Sequence, residues 1–288
     1  LKQEHETLYW RRVYALNVLP KLGQYQLQQK QQKDAEKREK YKLYGELINV
    51  YGYNLQDQAK ELVCENFYDN NKEIRIPLDP QKTARENSQK YFDKYGKLKR
   101  TSEALEVQLA ETKAQIDHLE SIQNSLNIAL SADDLVQIKE ELMEYGFIKK
   151  HKNGKKQKIK SKPFHYISSD GYDMYVGKNN YQNDELTFKF ATGNDWWFHA
   201  KKMPGSHVIV KTNNETDLPD RMFEEAGKLA GYYSSGRDSD KLEIDYLQKK
   251  NVKKPAGSAP GFVVYYTNYS LTIHPDISGL TLVESSNT

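Results

Sequence analysis

Residues 195–210 read D-W-W-F-H-A-K-K-M-P-G-S-H-V-I-V. Side-chain character alternates on both sides of Met203-Pro204-Gly205, which is the period of two strands joined by a turn. Pairing the arms so that His199 lies opposite His207 puts Trp196, Phe198, Val208 and Val210 on one face. Trp197, His199, Lys201, His207, Ile209 and Lys211 then share the other, because successive side chains on a strand point to opposite faces. The first set has the composition of a core. The second is aromatic, basic and imidazole-bearing, which suits stacked bases and phosphates. Trp196 and Trp197 cannot both be core residues of a regular strand. The outer one is either a stacking platform or packed beneath a loop.

The hairpin sits in a mixed region. Residues 164–167 and 173–177 read as strands around a Ser-Asp-Gly turn, and 186–191 as a short helix. Residues 219–234 read as a helix with Met222, Phe223, Ala226, Leu229, Ala230 and Tyr233 on one face. Residues 262–267 and 270–274 read as a terminal hairpin around Asn268. The spacing predicts an α+β domain over 163–288.

The first half reads differently. Residues 24–46 are dense in Gln, Lys and Glu, all adequate helix formers, whereas Pro20 and Gly23 predict a break or kink before them. Residues 61–79 read as a small β-hairpin around a polar Tyr-Asp-Asn-Asn-Lys turn. A second helix follows from about Thr83. Its Leu98, Leu105, Leu109, Ile116, Leu119, Ile122, Leu126 and Leu130 form a coiled-coil seam with small irregularities. At 1.5 Å per residue such a helix extends roughly 70 Å and needs a partner for its seam. The first helix, paired antiparallel within the chain, is the first choice and a second copy the alternative. Ser131-Ala-Asp-Asp caps a short helix over 135–145 that ends at Gly146. The expected organisation is a coiled-coil region over 1–148, a linker over 149–162 and the α+β domain over 163–288.

Composition narrows the function. Of 288 residues, 37% are hydrophobic and 29% charged, a polar balance that long solvated helices explain. One cysteine, Cys64, excludes an intramolecular disulfide and suggests a reduced cytoplasmic setting. No apolar run approaches the ~20 residues of a bilayer span, and no signal peptide is evident. The chain opens without Met inside a helical pattern, as a piece of a longer protein would. Net charge is +3, yet residues 149–162 hold eight lysines and no acid, so the remainder sums to −5. That run is either a polyanion contact or a solvated tether.

Several residues carry candidate chemistry. Gly177-Lys178-Asn179-Asn180 follows a strand and suits phosphate and base-edge contact, or is an Asn-rich turn. Lys249, Lys250, Lys253 and Lys254 cluster within six residues with no acid between them, a pattern that favours phosphate contact. Arg237 either joins them or pairs locally with Asp238 or Asp240. Asp195, His199 and His207 raise a metal site, but their spacing matches no standard ligand motif. No nucleophile has a convincing partner, and no glycine-rich phosphate loop is present. The expectation is a binding protein, not an enzyme, with no cofactor.

Three blocks also carry a resemblance. D-G-Y-D-M-Y-V-G-K-N-N-Y-Q-N-D-E-L-T at 170–187, the tryptophan hairpin, and N-V-K-K-P-A-G-S-A-P-G-F-V-V-Y at 251–265 resemble the NFACT-R domain of the NFACT family. Y-G-E-L-I at 44–48, I-P-L-D-P at 76–80, E-N-S-Q-K-Y-F-D-K-Y-G-K-L-K at 86–99 and I-K-E-E-L-M-E-Y-G at 138–146 resemble its middle coiled-coil region. The family's N-terminal domain and helix-hairpin-helix repeats are expected to be missing. The resemblance implies an RNA-binding, ribosome-docking role on large ribosomal subunits with stalled nascent chains, where alanyl-tRNA is recruited for alanine tailing. It implies RNA contacts by Lys178, Asn179, Asn180, Trp197, His199, Lys201, Lys202, His207 and the Lys249–Lys254 cluster, with large subunit and tRNA as partners. An older name for bacterial members, fibronectin-binding protein A, implies the alternative of a cell-surface adhesin. A coiled-coil scaffold is the third reading.

Overall fold

The computed structural model of the protein describes residues 2–56, 58–149 and 159–283, with side chains from residue 8 onward. Most of the lysine run at 149–162 therefore lies outside the described residues. The chain forms two compact units, Pro20–Gln115 and Leu1–Leu19 with Ile116–Thr288.

Helix α1 (Lys2–Glu36) runs without a break through Pro20 and Gly23, where the sequence predicts a break or kink; the interruption falls at Lys37, before α2 (Arg38–Tyr51). Proline removes a helical hydrogen bond, but Leu16 and Pro20 are both exposed, so water can satisfy the carbonyl left over. Helix α3 (Ala84–Ile128) starts at a reciprocal cap: Glu86 N–H donates to Thr83 Oγ1 and Thr83 N–H to Glu86 Oε2.

Within Pro20–Gln115, α1 and α2 run antiparallel to α3. Ser88 Oγ donates to the Gly45 carbonyl at 3.0 Å, and Gln32 Nε2 donates to Ser102 Oγ at 3.1 Å. Gly45 is needed for the close crossing, since a Cβ there would fall 2.8 Å from the Phe92 ring. Ser102 and Thr112 are buried and fill the gaps in the leucine spacing, so the seam keeps its heptad with small polar residues at two positions. Strands β1 (Glu61–Asn66) and β2 (Lys72–Pro77) form the expected hairpin, with Glu61 opposite Pro77. Leu62, Cys64 and Ile76 cluster with Leu47 and Ile48 of α2.

In the second unit, Trp10, Val13 and Tyr14 of α1 pack with Ile122 and Leu126 of α3 and with Leu135, Ile138 and Leu142 of α4 (Ala132–Glu144). Ser131 caps α4 as expected, in a capping box with Asp134. Leu130, the last of the predicted seam, lies beyond α3 and is exposed, while Ile128 is buried instead.

The remainder is a seven-stranded antiparallel sheet. It contains β3 (Phe164–Ile167), β4 (Asp173–Val176), β5 (Trp196–Ala200), β6 (Val208–Val210), β7 (Leu242–Gln248), β8 (Tyr269–Ile273) and β9 (Thr281–Leu282), ordered β8-β7-β5-β6-β4-β3-β9. Helix α6 (Asp220–Tyr232) buries Met222, Ala226, Leu229 and Ala230 against one face, with Phe198, Val208 and Ile244. Each large apolar side chain buried there contributes about 1.5–3 kcal/mol. The other face is covered by α5 (Asn180–Glu185), the π-helical turn Leu186–Phe190 and residues 252–265.

Residues 262–267 do not pair with β8; β7 does, and the sequence reading missed that strand. Val263 and Tyr265 instead turn onto the second face, where Tyr265 Oη donates to Asp245 Oδ2 at 2.8 Å. The helix expected at 186–191 is a continuation of α5, which starts six residues earlier at Asn180.

Candidate nucleic-acid interface

The hairpin has the register expected from its alternation. Trp196, Trp197 and Phe198 lie opposite Val210, Ile209 and Val208. Continuing the ladder brings His199 opposite His207, with ring centroids 5.5 Å apart at 90°. Trp196, Phe198, Val208 and Val210 do face the core under α6.

The second face is not open, and this corrects the reading of it as a base-stacking surface. Trp197 is fully buried, packed with Leu186, Ile209, Leu247 and Val252 and against Tyr265. It cannot stack on a base. His207 is buried and pairs through Nδ1 with Thr187 Oγ1 at 2.8 Å. Burial pushes the His199 imidazole down to about 4, partly offset by the Gly205 backbone and the Asp245 carboxylate. Burial, then the neighbouring His199, push His207 well below its ordinary value. Both rings are thus neutral near pH 7 and offer no positive charge to a phosphate. Asp195 is committed elsewhere: it accepts from Thr192 N–H at 2.7 Å, from Thr212 N–H at 3.2 Å and from the Lys211 ammonium.

The Gly177-Lys178-Asn179-Asn180 segment is also a structural joint. Lys178 pairs with Asp134 at 3.1 Å. Asn179 caps α5 through Gln182 N–H and donates to Gln137 Oε1 at 3.0 Å. Asn180 Nδ2 donates to Ser121 Oγ at 2.8 Å and Glu141 Oε1 at 2.7 Å. Both asparagines are buried, so their amides serve the packing of α5 on α3 and α4.

The remaining candidates divide. Lys201 pairs with Glu243 at 3.2 Å, and Arg237 lies over the Tyr232 ring at 4.5 Å instead of pairing with Asp238 or Asp240. Lys202, Lys250 and Lys253 are exposed, and none has an ion pair among the described residues. Lys249 and Lys254 both approach one ring, with their Nζ atoms 5.8 and 5.9 Å from the centre of Phe188; Lys254 also pairs with Asp184. Phe190, exposed, carries Lys211 Nζ 5.0 Å from its centre and packs on Tyr175 at 4.7 Å. The sequence reading missed Phe188 and Phe190. Their signal was the F-K-F triplet at 188–190, an aromatic–basic alternation ending the π turn.

This face therefore presents aromatic rings with lysine ammonium groups close to them, on a sheet bonded to α3 and α4 through Asn179, Asn180 and Lys178. Residues 10–161 match the family model described as NFACT N-terminal and middle domains, and residues 162–266 match the NFACT protein RNA binding domain. The chain is a member of the NFACT family. The match over 10–161 overturns the expectation that NFACT-N is missing, because the model joining the N-terminal and middle domains takes in the helical half. The chain is similar to Rqc2 homolog RqcH of Streptococcus pneumoniae serotype 2, at 38% identity over 90% of this chain and 46% of that protein. It is similar to Rqc2 homolog RqcH of Bacillus subtilis, at 36% identity over 88% of this chain and 44% of that protein. It thus spans under half the length of these relatives. Among solved structures, the C-terminal part of the fibronectin/fibrinogen-binding protein of Streptococcus suis superposes with a TM-score of 0.72 and 32% identity, covering 95% of both chains. Among the described residues no helix is long and apolar enough to cross a membrane.

Proposed function

We propose that this NFACT chain is the RNA- and ribosome-binding part of a cytoplasmic ribosome-associated quality-control factor, and that it acts by binding, not catalysis. In this reading it holds stalled large ribosomal subunits and supports the recruitment of alanyl-tRNA for alanine tailing of nascent chains. The observation that carries it is the Phe188 ring with the Lys249 and Lys254 ammonium groups 5.8 and 5.9 Å from its centre, and exposed Lys253 in the same segment of chain, inside the region matching the RNA binding domain. Ring faces with adjacent ammonium groups suit bases and phosphates together. The similarity to RqcH proteins supports the ribosomal context.

The test is binding to tRNA and to isolated large subunits across a salt series, with the Lys249→Glu/Lys253→Glu variant alongside. Phosphate contacts release counterions, so affinity should fall steeply with salt. The double variant should flatten that slope by about 0.7–0.9 for each phosphate it no longer neutralises. An unchanged slope would remove these lysines from the interface. The Streptococcus suis relative is named for binding fibronectin and fibrinogen, which keeps an adhesin as the second reading. Salt-insensitive binding of fibronectin, with no RNA bound, would favour it.

A further inference from the structure

A second aromatic patch lies on the opposite, α6-covered side of the sheet. Trp196 meets Phe223 edge-on at 5.0 Å and lies 5.7 Å from Tyr246 and 6.2 Å from Tyr269. Tyr246 and Tyr269 are cross-strand partners on β7 and β8 with centroids 5.5 Å apart. Tyr269 is 63% exposed, and the other three rings are half-buried. The patch is thus a set of neighbouring rings on three strands and the first turn of α6, open on one side.

Its surroundings are polarised. Trp196 and Phe223 line a groove of about 330 Å³ that also takes in Lys250 and Glu215. That volume is at the lower end of small-ligand sites. The turn after β7 divides two consecutive lysines, with Lys249 over Phe188 on one side and Lys250 in this groove on the other. Glu215 is held by the Tyr172 hydroxyl, which donates to its Oε2 at 2.5 Å.

We infer that Trp196, Tyr246 and Tyr269, with Lys250 and Glu215, form a second RNA contact that takes unpaired bases of a single strand. Half-exposed rings on adjacent strands give successive bases a surface to stack on, whatever the sequence. Lys250 meets a phosphate. Glu215 repels phosphates and accepts from a base N–H, which sets the strand's orientation across the groove. A paired base cannot offer its face, so the patch discriminates single strands from duplex. The inference rests on the RNA-binding reading and adds a site and a strandedness to it.

The test uses the whole chain, a labelled mixed-sequence single-stranded RNA decamer and a blunt duplex of the same length. Tyr269→Ala and Lys250→Glu should each weaken single-strand binding by at least about fivefold, with a smaller effect on the duplex. Trp196→Phe, which keeps a ring, should retain binding, and thermal melts confirm that each variant is folded. Wild-type tryptophan emission should change on adding the single strand, and that change should be lost in Trp196→Phe. Unchanged single-strand affinity in Tyr269→Ala and Lys250→Glu, with wild-type RNA binding intact, would overturn this site alone. So would equal losses on both RNAs, or a proline-rich peptide captured by the patch with RNA unaffected. A wild-type chain that binds no RNA would overturn both this inference and the functional reading.

Discussion

Lys178 Nζ lies 3.1 Å from Asp134 Oδ1, with the two side chains only 15% and 3% exposed. A lysine that looks like a phosphate contact in sequence thus ties the β4–α5 loop to the start of α4. Asp134 also accepts from the Leu130 and Ser131 N–H groups, both at 3.0 Å, and from the Ser161 hydroxyl. Burial pushes its carboxyl up, but Ser161, Leu130 and Lys178 together outweigh this and hold it below the ordinary 3.8. Lys178→Ala leaves that carboxylate buried without its cation, so urea unfolding at pH 7 should show a loss of about 3–5 kcal/mol. A carboxyl with a depressed folded pKa stabilises above its unfolded value and loses that contribution as pH falls through its folded value. Wild type should therefore lose this stabilisation below about pH 4, and Asp134→Asn should lack that part of the acid loss. RNA affinity measured well below the melting temperature should be unchanged in Lys178→Ala.

Trp197 gives the matching prediction on the sheet. Its ring is fully buried, and among the described residues its Nε1–H finds no acceptor. A buried unpaired donor costs about 1–3 kcal/mol. Trp197→Phe removes it together with part of the ring, so the two effects oppose and the net change in stability should be small. Trp197→Ala, which leaves a cavity, should cost about 3–5 kcal/mol. Neither should alter RNA affinity in folded protein. A large affinity loss in a stable Trp197→Phe protein would return this residue to the interface.

The contrast between Trp196 and Trp197 shows what the sequence could convey. Period-two alternation was enough to assign the hairpin and its register, because one face had to be buried. It could not reveal that Leu186, Val252 and Val263 come from elsewhere in the chain to bury the other face as well. The same limit applies to Lys178, Asn179 and Asn180: residue type suggested ligands, whereas their partners Asp134, Gln137 and Glu141 lie about 40 residues away. The cap at Ser131 was legible because a cap is a local contact. Strand β7, L-E-I-D-Y-L-Q, was missed because four of its seven residues are buried on both sides of a central strand, which blurs the alternation.

The histidine pair makes stability depend on mild acid. His199 is pushed down to about 4 and His207 also falls, burial being the main cause in both. The unfolded chain takes up these protons near 6.5 and the folded chain does not, so stability drops as pH falls below about 6.5 and levels off once the folded rings protonate. One such group contributes at most about 1.4 kcal/mol per pH unit in that window. Urea midpoints should decline between pH 7 and pH 5 in wild type, and His199→Gln should reduce the decline. A flat wild-type profile over that range would contradict rings held neutral in the folded chain.

Gly177 has the nearest neighbour of any described glycine. A Cβ there would fall 2.1 Å from Asn183 Oδ1 and 3.0 Å from Asn183 N. The same Asn183 oxygen accepts the His207 N–H at 3.0 Å, and Gly177 exchanges further bonds with this strand, its N–H to the His207 carbonyl and its carbonyl from Ser206 Oγ. Gly177→Ala must displace the Asn183 side chain, leaving the buried His207 N–H unpaired, at about 1–3 kcal/mol. Overpacking adds about 1–3 kcal/mol. The His207 amide should then exchange with solvent faster than the neighbouring Val208 amide relative to wild type, a local signature that general destabilisation would not produce. Equal acceleration at both amides would mean that Asn183 is not the group holding this turn.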